Sequence, residues 1–337
     1  MDSSRRDFIR ATLGGFSVAA LAQQAMAQQP GQGVPTRRLG RTNVQVSILC
    51  LGGAHIGYAG RENEKEAIRI MHAAIDQGIN FFDNAWMYND GYSEELMGKA
   101  LGEGKRQKVF LMTKNSGRDY DFSKRCLEDS LRRLKTDYID LWQFHEINYD
   151  NDPEWVFERG GHRAALEAQK DGKVRFIGFT GHKHPEIHLK MLDMGYAWAS
   201  SQMPINVMDH FYRSFQNRVV PVCLKEDVGV IGMKSLGGGR KVGRIPSSTK
   251  ITAEQCVRFG LSLPIASLCR GYETMEELEQ DLKIARNFRP MDEQEKQQLL
   301  ALARPEAGDG RHERFKSTQA FDARIYREMH GLGDTGR

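Results

Sequence analysis

Between residues 36 and 286, apolar runs of four to eight residues are each followed by a segment with apolar side chains at helical spacing. The runs at 44–51, 79–83, 109–114, 139–144, 174–179, 200–203, 229–233 and 265–269 read as strands. The segments 62–77, 93–101, 123–134, 155–170, 185–194, 215–226, 252–261 and 275–286 read as helices; in the first, Ala67, Ile68, Met71, Ala74 and Ile75 share one face. Strands without polar alternation are covered on both sides, the mark of a parallel sheet under helices. Eight strand–helix pairs, with no Gly-x-Gly-x-x-Gly after the first strand, favour an α/β closed barrel, a (β/α)8 TIM barrel, over an open doubly wound sheet. The barrel is expected over 36–303. The polar stretch 304–337, with Phe315, Phe321 and Tyr326, is expected to fold as a tail over one end.

Residues 1–27 read as an export signal. Ser4-Arg5-Arg6-Asp7-Phe8-Ile9 resembles the twin-arginine motif of bacterial secretory signals, and a weakly apolar segment leads to Ala25-Met26-Ala27, a small-x-small cleavage pattern. The segment is shorter and more polar than the roughly 20 apolar residues of a membrane span. Cleavage near Ala27, a linker over 28–35 and a periplasmic location are expected, with the twin-arginine machinery a transient partner. That route implies export of an already folded protein, with any cofactor inside. Net charge is +4 from 48 basic and 44 acidic residues, without a basic run interleaved with aromatics, so no nucleic-acid partner is expected. Cys50, Cys126, Cys223, Cys256 and Cys269 are far apart with no C-x-x-C, so neither disulfide nor metal use is expected.

Catalytic groups of barrel enzymes lie at the C-terminal ends of the strands. Asp83, Lys114 and His145 stand at the ends of the second, third and fourth predicted strands, and Tyr88 lies in the loop after the second. A phenol beside an ammonium can deliver a proton to a developing alkoxide, because the ammonium lowers the phenol pKa from about 10. Asp83 would hold Lys114 charged, and His145 would orient a substrate carbonyl by hydrogen bonding. None of the four supplies hydride, so a nicotinamide cofactor is implied. Each residue has a plain structural alternative: loop cap, surface aromatic, solvated strand end, satisfied buried imidazole. Their coincidence at one rim favours the chemical reading.

The run Gly78-Ile79-Asn80-Phe81-Phe82-Asp83-Asn84-Ala85, then Tyr88, then Ser93-Glu94-Glu95-Leu96-Met97-Gly98 resembles the signature of the aldo-keto reductase family. The resemblance covers about 37–285. It implies Tyr88 as general acid, Asp83 and Lys114 as its tuning pair, and His145 as carbonyl-orienting. It also implies NADP across the barrel mouth, with NAD the alternative. Gly53 and Asp83 would border the cofactor. Thr180-Gly181, where the family usually has Ser-Asn, and Gln202 would meet its carboxamide. Met233, where many members have tyrosine, would cover the nicotinamide. Lys234, Leu236 and Gly238 would follow the pyrophosphate, and Arg270 would be the local cation for a 2′-phosphate, with Gly271 and Glu277 where Lys and Arg are common.

The expected reaction is reduction of a small aldehyde, ketone or sugar carbonyl to the alcohol. Tyr58, Trp86, Trp142 and the loop 146–152 are placed at the substrate mouth. The alternatives are a metal-dependent hydrolase using His182-x-His184 with His145 or His55, and a cofactor-holding redox sensor or interaction protein with slow turnover. Substrate identity, reaction direction and oligomeric state are left open by the sequence.

Overall fold

The apolar runs close on themselves. In a computed structural model that describes residues 33–239, 243–319 and 321–333, eight parallel strands form a barrel. They are β3 Leu49–Gly52, β4 Phe81–Asp83, β5 Phe110–Asn115, β6 Ile139–Phe144, β7 Val174–Thr180, β8 Ser200–Pro204, β9 Gly229–Met233 and β10 Ser267–Gly271. They run in chain order around the barrel, which shuts where β10 pairs with β3, Cys269 opposite Cys50. The expected export signal lies outside the described residues, as does most of the expected linker.

Side-chain alternation divides the apolar residues between two cores. Cys50, Phe81, Phe110, Met112, Leu141 and Ile231 point into the barrel. A larger cluster, including Leu51, Phe82, Leu111, Trp142, Phe144 and Phe179, lies outside, beneath the helices. Trp142 is 1% exposed and belongs to this core, which removes it from the substrate mouth. An antiparallel hairpin, β1 Thr36–Arg38 with β2 Gln45–Ser47, adds Leu39 and Val46 to the inner cluster.

The first predicted strand therefore splits in two: residues 45–47 serve the hairpin and 49–52 the barrel. A helix over Gly53–Glu62 precedes the predicted second-layer helix, here Glu64–Asp76, whose N-cap is Asn63 accepting from the Glu66 N–H. The predicted 155–170 helix is two, Asp152–Glu158 and Gly161–Lys170, broken at Gly160 with φ +88°. The predicted 215–226 helix breaks before Pro221 into Phe215–Arg218 and Val220–Lys225.

Beyond the Met275–Arg286 helix come Glu293–Ala303 and two short helices, Arg314–Ser317 and Arg324–Met329. Buried polar contacts fix this last stretch to the barrel rim. Lys316 bonds Asp209 at 2.5 Å, Lys183 bonds Asp322 at 2.8 Å, and the Tyr326 hydroxyl donates to Ser116 at 2.9 Å. Among the described residues no helix is long and apolar enough to cross a membrane.

Candidate active site

Asp83 is the last residue of β4, inward-facing and 2% exposed. Lys114, 1% exposed, stands one strand over near the end of β5, and its ammonium is ion-paired with Asp83 Oδ1. The same nitrogen donates to the Asn84 carbonyl at 2.7 Å and lies 3.3 Å from the Tyr88 hydroxyl. Tyr88 begins a tight turn in which Asn89 and Asp90 take left-handed backbone (φ 52° and 58°). Asn and Asp tolerate this better than most residues. The Asn89 amide donates to the Ala54 carbonyl at 3.0 Å and anchors the loop.

His145 follows β6, with its ring edge-on to Tyr88 at 5.5 Å between centroids. The four groups therefore meet at one rim. The second half of the motif is structural: Ser93 Oγ donates to the Gly53 carbonyl at 2.5 Å, and buried Glu94 accepts from Thr113 and Ser130 at 2.6 Å each.

Burial dominates the electrostatics. It pushes the Tyr88 phenol well above its usual range, with the Asp83 charge adding to the rise. The net shift is upward, against the lowering expected from Lys114, whose ammonium is paired with Asp83. Burial, then the charges of Lys114 and Lys234, hold His145 far below its usual range, so its imidazole is neutral. Asp83 Oδ2 is occupied as well, accepting from Gln202 Nε2 at 3.2 Å and the Cys269 thiol at 3.1 Å. Burial and the neighbouring Asp83 keep that thiol protonated, against the Cys50 contact that lowers its pKa.

A cavity of about 720 Å³ opens above this group. Asp83, Tyr88, Gln202, Met233, Lys234, Leu236, Gly238 and Arg270 line it, with Gly52 and Tyr58. Gly53, Thr180 and Gly181 lie outside the lining: Gly53 opens a helix, and Thr180 ends β7 with its carbonyl accepting from Ile147. Trp86 also sits outside it, its indole donating to Asp129 at 3.1 Å.

The sequence reading missed the tail's contribution. Phe321, Asp322, Ala323, Arg324 and Arg327 line the cavity, and the Tyr326 ring lies edge-on to His145 at 5.8 Å. Phe321, Asp322 and Ala323 precede the short Arg324–Met329 helix, which carries Arg324 and Arg327, and only the fold brings this stretch to the rim. Glu146, from the loop expected at the substrate mouth, and Glu277, expected at the adenosine end, line the same space, as do Cys269 and Gln280, which had no expected place at the site.

The wall fits a dinucleotide. Among the described residues Gln202 Oε1 and Ser235 Oγ, both buried, have no hydrogen-bond partner, which leaves them ready for an added donor or acceptor. Gly237, Gly238 and Gly239 are all left-handed (φ 79°, 73° and 91°), and a Cβ at Gly237 would lie 2.8 Å from the His312 carbonyl. Arg270 is pinned by Asp281 at 2.7 Å, and Glu277 caps its own helix by accepting from the Glu273 N–H at 2.6 Å.

The histidines considered for a metal do not converge. His184 caps the Pro185–Leu192 helix, accepting from the Glu186 N–H at 3.3 Å. His182 lies with Glu146 and Asp322, whose ligand atoms come within 4.8 Å of one another. The Lys183 ammonium already neutralises Asp322 there, so the cluster carries its own cation.

The model of the aldo/keto reductase family matches residues 48–303. An uncharacterized oxidoreductase of Bacillus subtilis, YrpG, is 35% identical over 231 residues, 61% of this chain and 68% of the relative. A 6-dehydroglucose reductase of Novosphingobium aromaticivorans is 28% identical over 233 residues, 65% of this chain and 74% of the relative. The holo form of the aldo-keto reductase AKR11C1 from Bacillus halodurans superposes with a TM-score of 0.67 at 24% identity, covering 83% of this chain and 99% of the other.

Proposed function

Since the chain belongs to the aldo/keto reductase family, we propose that it reduces the carbonyl of a small aldehyde, ketone or sugar, with Tyr88 delivering the proton. A nicotinamide dinucleotide, when bound, supplies the hydride. Gln202 is suited to its carboxamide, Met233 to a ring face, and Lys234 with the left-handed glycines to its phosphates. At the carbonyl, neutral His145 and the protonated Tyr88 phenol both offer hydrogen bonds to one oxygen. As negative charge develops on that oxygen, the Tyr88 proton moves to it. Lys114, 3.3 Å away, stabilises the phenolate left behind, and Asp83 keeps Lys114 in place. The tail and the rim exclude water from this step.

The observation that carries this reading is the single ammonium of Lys114 reaching Asp83, the Asn84 carbonyl and Tyr88 together. At the adenosine end, Arg270 is already paired with Asp281 and Glu277 shares the wall, so NADH is expected to bind at least as tightly as NADPH. Tyr88→Phe tests the whole assignment. We expect carbonyl reduction to fall by at least 10³-fold, in the range of losing proton donation together with orientation. The thermal shift produced by NADH is retained, and is no smaller than that by NADPH. Loss of that shift in Tyr88→Phe would make Tyr88 a binding residue and sink the proton-donor role. Export through the twin-arginine route, with cofactor already inside, is part of the same proposal.

A further inference from the structure

Glu146 follows His145 directly and is held in an unusual way. Its backbone is left-handed (φ 48°), a region that non-glycine residues keep only where the surroundings impose it. Its side chain is buried, with the residue 8% exposed, yet it lines the cavity that holds Tyr88. Two donors fix it, the Ala323 N–H of the tail at 3.1 Å and the Asn148 amide at 3.3 Å. Both act on Oε2. Oε1 takes no hydrogen bond from the described residues and is not sealed from the cavity.

We infer that Glu146 is a substrate-recognition group selecting polyhydroxylated carbonyl compounds, with Oε1 accepting from a hydroxyl near the carbonyl that Tyr88 and His145 hold. The inference rests on the reductase reading above and names its substrate class. Lys234, Asp322 and Arg327 line the same cavity, so the wall both donates and accepts. A hydroxyl does both. A substrate carboxylate placed at Oε1 would face the Glu146 carboxylate, and an ammonium would face Lys234 and Arg327. A plain alkyl chain would cover Oε1 and leave it unsatisfied, the kind of mismatch by which a polar site rejects an analogue lacking its hydroxyl. Burial and the Asp322 charge raise the Glu146 carboxyl to about 7, with the Ala323 N–H, Lys234 and Lys183 opposing. Near neutrality it serves a hydroxyl in either protonation state, as acceptor or as donor.

The test uses the full chain loaded with NADH. Binding of xylitol and of 1-pentanol is read by ligand-observed NMR, and kcat/KM is measured for glyceraldehyde and for propanal. The wild type is expected to bind only the polyol and to favour glyceraldehyde at least tenfold. Glu146→Leu is expected to lower that ratio at least tenfold. Glu146→Gln, which keeps the size and guards against a folding failure, is expected to lower it at least threefold. Equal binding of the two alcohols by the wild type, or an equal fall for both aldehydes in the variants, overturns the inference. Selective polyol binding lost in the variants, with no aldehyde reduced by any form, would instead sink the reductase reading and leave Glu146 as the polyol contact.

Discussion

Lys114 is a charged group with almost no exposure, and its single counter-charge is Asp83, equally enclosed. Removing one partner of such a pair leaves the other as an uncompensated buried ion, which costs about 3–5 kcal/mol. Lys114→Met is therefore expected to lower unfolding stability by about that amount. Adding Asp83→Asn to the same chain should recover part of the loss, since the stranded charge is then gone. Urea unfolding of both single variants, the double variant and the wild type gives the coupling directly. A double variant as unstable as the sum of the singles would mean that the two side chains act independently, against the contact between them. In the proposed mechanism the role of Lys114 is inseparable from the fold, because the group that would stabilise the Tyr88 phenolate is the one that neutralises Asp83.

The loop after β5, the Asp152–Glu158 helix and the tail are tied at one point. Arg118 donates to Asp152 at 2.7 Å and to the carbonyls of His145 and Glu146 at 2.9 Å each, while His330 lies 3.2 Å from Asp152 and stacks on Trp155 at 4.4 Å. Burial alone would raise the Asp152 carboxyl; the Arg118 charge and the bonds from His330, Arg118 and the Tyr149 N–H overcome it and bring the carboxyl down to about 2. A depressed carboxyl stabilises the fold above its unfolded pKa, about 3.9, and that contribution is lost as pH falls towards 2. A shift of this size corresponds to roughly 2–3 kcal/mol. The stability gap between wild type and Asp152→Asn should thus be full at pH 5 and narrow by about that much near pH 2, as followed by urea unfolding. A gap constant from pH 5 to 2 would show that Asp152 is not linked to folding through its charge. At this scale the sequence was legible wherever one period ran unbroken. The barrel strands and the amphipathic Tyr120–Leu134 helix were visible as patterns, and the strand ends placed Asp83, Lys114 and His145. The Gly53–Glu62 helix was not, because Gly57 and Gly60 are there for close packing: a Cβ on Gly60 would lie 2.3 Å from Leu96 and one on Gly57 2.2 Å from Asn89. Such contacts, made more than 30 residues along the chain, leave no local period.

Across the whole molecule the cavity is completed by the stretch from Phe321 to Arg327, far along the chain from the barrel strands it meets. The tail was legible only as polar sequence with scattered aromatics, since what docks it is a set of long-range buried ion pairs, Lys316 with Asp209 and Glu313, and Asp322 with Lys183. Each costs desolvation unless its partner is in place, so the Tyr326 ring reaches His145 only once the barrel rim has formed. Export by the twin-arginine route, proposed from Arg5-Arg6, would move the protein after it folds. The proposed export makes a definite prediction. In a bacterium with that machinery, the precursor carrying Arg5→Lys and Arg6→Lys should be retained in the cytoplasm, folded and competent to bind NADH, while the unaltered precursor yields periplasmic protein shortened near Ala27. Fractionation, with mass spectrometry of the mature N-terminus and of any nucleotide released on denaturation, reads both parts. Equal periplasmic recovery of the two precursors would remove the twin-arginine assignment. Active periplasmic protein without nucleotide would remove the idea that the cofactor travels bound to the folded protein.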